Sequence, residues 1–142
     1  VTSDALHRAL GEYLGAVAEE LGVGAESTTV DLDTPLSAYI ALDTELPDHP
    51  GRDTALLWDE RHGWSVAVET HSGEDLVTVA HLAANAVAPA PRRIARFLAA
   101  VARGDRRRPQ TAPVAIRDVD DSESLLDQLR RHPMRRSDQK AA

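Results

Sequence analysis

Six histidines and 23 acidic residues are the side chains of this 142-residue chain that could do chemistry. His71 and His81 fall near the ends of one predicted hairpin, with Glu69 on the same strand face as His71. No histidine pair has helical i, i+4 spacing or a tight H-x-H, so the pattern carries no metal site. Asp31/Asp33, Asp59/Glu60 and Glu74/Asp75 are acid pairs that could work as acid and base. Each sits at a predicted strand end or turn, where aspartate serves local hydrogen bonding. Ser65 falls opposite His81, the spacing of a nucleophile and a base, but without a G-x-S-x-G elbow. Phosphate-cradling glycine loops are missing. The reading is of no catalytic residue, no cofactor and no metal, and it leans against an enzyme.

The elements around these residues are clearer. Leu6, Leu10, Tyr13, Leu14, Val17 and Leu21 recur at helical spacing and predict a helix over 4–21, closed by Gly22. Gly11 and Gly15 share a face of it and read as small residues on a packing face rather than as a glycine motif for close backbone approach. Residues 27–33 and 36–42 alternate as strands, and DTELPDHPGRD over 43–53 is a long surface loop. Residues 54–82 read as three antiparallel strands with two tight turns. Gly63 suits the left-handed position of the first turn. Either of two registers puts Leu56, Trp58, Trp64, Val66 and Val68 on one face. Around the second turn, Val68 is expected opposite Thr78 and Val66 opposite Ala80, which extends that face through Leu76, Ala80 and Leu82.

A second helix is predicted over 91–103, opened by Pro91 and closed by Gly104, with Ile94, Phe97, Leu98 and Val101 as its apolar stripe. The fold class is α+β: an N-terminal helix, an antiparallel meander sheet of four to five strands, and a C-terminal helix packed on the sheet. Such an arrangement resembles secretion-chaperone-like domains, an analogy of fold alone. The domain is expected over 1–104. Residues 105–142 are read as a flexible tail with a short helix at 122–132.

The loop, strands and turn HPGRDTALLWDERHGWSVAVE, His49 to Glu69, and the helix PRRIARFLAAV, Pro91 to Val101, resemble a family of small actinobacterial proteins of unknown function. The similarity covers roughly residues 5–103. It implies a shared fold and an actinobacterial source, and supplies no catalytic residues.

Charge and composition bound the function. Residues 1–102 hold 16 acids against 6 bases, net −10, and residues 103–142 hold 7 against 10, net +3, together the −7 of the chain. An acidic body disfavours nucleic acid, whose phosphates need a basic face. Arg103, Arg106, Arg107 and Arg108 form the one basic run that could grip phosphate or an acidic partner. The chain lacks cysteine, and no run reaches a membrane span, which points to a cytoplasmic protein.

The odd-numbered sheet face, Tyr39, Ala41, Ala55, Leu57, Ala67, Val77, Val79 and His81, is too apolar for a face meant for water. Either a helix of the chain covers it, or Tyr39, Leu57, Val77 and Val79 form a surface for a homodimer or another protein. The expected function is a non-enzymatic interaction module, self-associating, of adaptor, chaperone-like or regulatory type. Two alternatives remain: a nucleic-acid-associated regulator using the arginine tail, or a sensor or enzyme with a pocket between sheet and helix.

Overall fold

The computed structural model describes residues 3–33, 35–70, 75–84, 86–104 and 121–131. Helix α1 runs Ser3–Leu21 and buries Leu10, Tyr13, Leu14 and Val17, the expected stripe. Gly22, at φ 77°, takes the left-handed position that closes it. The Val23 amide then reaches the Ala18 carbonyl at 3.0 Å, the six-to-one bond of a Schellman end. Gly11 and Gly15 face open space rather than another backbone. The packing face expected at these glycines is therefore corrected.

Five strands follow: β1 Thr28–Asp31, β2 Ser37–Leu42, β3 Thr54–Asp59, β4 Gly63–Glu69 and β5 Leu76–His81. They pair in sequence order as one antiparallel meander, with β1 and β5 at the edges. Within the loop between β2 and β3, Leu46 is buried and fixes the loop to the core. Across the β3–β4 hairpin, Trp58 pairs with Trp64 and Asp59 with Gly63. Gly63 has φ 79°, a conformation that costs a glycine little.

The β4–β5 ladder departs from the expected register. Val66 pairs with Ala80 as expected, but Ala67 pairs with Thr78 and Val68 with Val77. Val79 is therefore the extra residue of a bulge. Because side chains alternate faces, this one insertion turns over the outer half of β5. Leu76 moves to the odd face beside Glu69, and Val77 moves to the even face beside Val68.

Helix α2 spans Pro91–Ala102 and helix α3 spans Ser122–Arg130. Asp121 caps α3, its carboxylate accepting from the Ser124 amide at 3.1 Å. All three helices contribute to one core with the even face of the sheet. Leu10, Tyr13 and Val17 meet Ile40, Leu56, Trp58, Trp64 and Val66 there, together with Ile94, Phe97, Leu125 and Leu129. Leu125 and Leu129 are fully or almost fully buried, at 0% and 2% exposure. The Val87 amide also donates to Gln128 Oε1 at 3.1 Å. The folded unit thus extends past Gly104, and the expected core complete at that residue is corrected. Leu125, Leu126 and Leu129, at helical spacing, line the face that α3 packs on the core beside α1.

Glu60 closes the turn end of the sheet. Its amide donates to the Leu36 carbonyl at 3.0 Å, and its buried carboxylate accepts from the Leu36 amide. One residue therefore satisfies both backbone groups of Leu36, as a strand neighbour would.

Candidate functional site on the open sheet face

Among the described residues the helices pack on the even face and none packs on the odd face, where Ala55 and Ala67 are nonetheless buried. Cross-strand pairing arranges the odd face in rows. Asp31, Ser37, Asp59 and Gly63 form the first; Thr29, Tyr39, Leu57, Ser65 and His81 the second; Ala41, Ala55, Ala67 and Thr78 the third. Glu69 and Leu76 follow at the far end. The first two rows border a groove of about 500 Å3, into which His62 of the β3–β4 turn also faces.

The groove is mixed in character. Tyr39 and Leu57 are direct cross-strand partners and half-buried. Ser65 is buried, and His81 beside it is half-buried. Asp59 organises the turn: its Oδ1 accepts from the amides of Arg61 and His62, each at 2.8 Å. The same oxygen lies 3.0 Å from His62 Nδ1. With Nδ1 held by the carboxylate, Nε2 is the imidazole nitrogen left for other contacts. Burial, reinforced by the neighbouring His62, lowers the proton affinity of His81, against a smaller opposing effect of Asp59. Burial, with the Glu69 and Asp53 carboxylates nearby, raises the pKa of the Tyr39 phenol.

Of the four residues expected to form a partner surface, Tyr39 and Leu57 come together here. Val77 lies across the sheet on the even side at 47% exposure, and Val79 sits in the bulge, packed against the core. Both departures have one cause, the inserted residue. Of the basic run, Arg103 caps the end of α2 and is exposed. Arg106, Arg107 and Arg108 lie outside the described residues, as does His71. No spacing in the sequence singles out His62. The signal it carried was Asp59 three positions earlier, since an aspartate opening a tight turn bonds the following amides and whatever side chain stands there. Among the described residues, no group of three metal-ligating side chains converges, and no helix is long and apolar enough to cross a membrane.

The chain is thus a small α+β protein with a one-sided sheet: helices on one face, a grooved and polar-edged surface on the other. A family model described as a family of unknown function (DUF6292) matches residues 13–100. That span runs from the core tyrosine of α1 to the last turns of α2, and the chain belongs to this family. Comparison with curated proteins and with solved structures returns no match.

Proposed function

We propose that the chain is a non-enzymatic protein-interaction module whose open sheet face docks a cationic, partly apolar segment of another protein. The observation that carries this reading is the composition of that face. Tyr39 and Leu57 lie at its centre, Asp31, Asp59 and Glu69 lie at its ends, and no lysine or arginine occurs in its strand rows. Apolar contact supplies affinity and the carboxylates select for positive charge. A second copy of the chain is a poorer occupant of this face, because a two-fold contact would bring carboxylate ends together. The strand dimensions give a footprint of roughly 500 Å2 on each partner, at the small end for a specific interface, so the contact is a transient one.

A ten-residue peptide of alternating arginine and leucine is the probe. Amide shifts on titration should cluster at Tyr39, Leu57, Ser65 and His81, and Leu57→Glu should abolish them while leaving the far-UV spectrum unchanged. Shifts confined to the helices would overturn the reading. So would a concentration-dependent dimer, seen by light scattering, that Leu57→Glu dissociates.

A further inference from the structure

A second concave surface lies at the edge of the sheet, where α2 passes the end of β5. Arg93, Arg96 and Arg103 lie along one side of α2, since their spacing falls within about 80° on a helix of 3.6 residues per turn. With His81, Leu82 and Phe97 they border a cavity of about 380 Å3. Arg93 is tied down, its Nη2 donating to the Ala83 carbonyl at 2.7 Å. Among the described residues, no carboxylate forms an ion pair with Arg93, Arg96 or Arg103. Within the described residues, three guanidiniums without a carboxylate partner thus gather on one helix and repel one another.

We propose that this cavity binds a small organic phosphate, its anionic group held by Arg96 and Arg103 and its apolar body resting on Leu82 and Ala100. Guanidinium forks match phosphate oxygens in pairs. Several cations around one cavity suit a dianion better than the single charge of a carboxylate. A nucleic acid is the poorer occupant, because a long polyanion would also run over the acidic body of residues 1–102. The site lies off the centre of the sheet face, and His81 borders both surfaces. The charged groups facing His81 are His62 and Asp59 from the β3–β4 turn and the three arginines from α2. A bound dianion would join them and favour the protonated imidazole.

Phenyl phosphate, titrated calorimetrically into the full chain, should bind at one saturable site and shift the His81 imidazole titration upward. The double variant Arg96→Gln/Arg103→Gln replaces two exposed side chains, so its melting temperature should match wild type while its affinity falls at least about 10-fold. Benzoate should bind more weakly than phenyl phosphate. The proposal is overturned by absence of saturation at about 10 mM ligand, by undiminished affinity in the double variant, or by equal affinity for benzoate. Tight binding of duplex DNA in the absence of any phenyl phosphate site would overturn it as well.

Discussion

The Trp64 indole N–H donates to the Tyr13 hydroxyl at 3.1 Å, and that hydroxyl donates onward to the Pro89 carbonyl at 2.6 Å. Their rings lie tilted, with centroids 6.2 Å apart. One phenol therefore joins α1, the middle of the sheet and the segment leading into α2. Trp58 does related work, donating to the Val87 carbonyl at 2.8 Å. Trp58 directly, and Trp64 through Tyr13, thus tie the same connecting segment to the core while their rings fill it.

Tyr13→Phe keeps the ring and removes the hydroxyl. It leaves a buried indole N–H and the Pro89 carbonyl without this partner, a cost of about 1–3 kcal/mol. Urea denaturation should show the midpoint lowered with an unchanged slope. A variant as stable as wild type would mean that the relay contributes nothing net.

Alkaline pH should act through the same phenol. Burial pushes the Tyr13 pKa well above its ordinary range, the indole bond offsetting part of the shift. Once pH exceeds about 10, an unfolded tyrosine releases its proton while the folded one keeps it. The unfolded state then binds fewer protons, so stability must fall as pH rises through that window. The chain has two tyrosines, and absorbance at alkaline pH should report Tyr39 first and Tyr13 only as the fold is lost.

Removing α3 should be costly. A chain ending at residue 104 loses buried Leu125 and Leu129 and the Gln128 contact to Val87. Leu125→Ala alone should cost about 2–5 kcal/mol, as buried leucine truncations do. A truncated chain melting within about 8 °C of the full one would show that α3 contributes little.

Acid should act on the groove. Because burial lowers the proton affinity of His81, the unfolded imidazole takes up a proton before the folded one. This contribution to stability is present above the ordinary histidine pKa of about 6.5 and is lost as pH falls below it. His81→Gln should flatten the pH dependence of the melting temperature over that window, a change readable by calorimetry.

Much of this architecture was legible from residue spacing. The parity of Leu56, Trp58, Trp64 and Val66 placed both tryptophans on one face, and they are buried at 2% and 1% exposure. Gly63 marked its turn, and Pro91 and Gly104 bounded α2. Two features escaped. The bulge at Val79 is hidden because two-residue alternation looks the same whichever strand carries the inserted residue, and the turn beside it fits either pairing. The return of α3 is hidden because a short amphipathic stretch behind a polar segment reads the same whether it packs on α1 or not. The site was half legible for the same reason: Tyr39 and Leu57 lie on regularly paired strands, Val77 and Val79 on the irregular one.

That irregular strand is also the border of the sheet. β5 leaves one side of its backbone unpaired, and Leu76 and Val77 are exposed along it, the makings of strand-by-strand growth into fibres. The inserted Val79 breaks the even spacing of amides and carbonyls that an incoming strand would have to match. At the opposite border, β1 is only four residues long and ends at Asp31, whose carboxylate binds the Asp33 amide at 3.0 Å and turns the chain aside. A one-residue irregularity on one side and a short, charged strand on the other thus restrain the sheet from templating its own aggregation at either border.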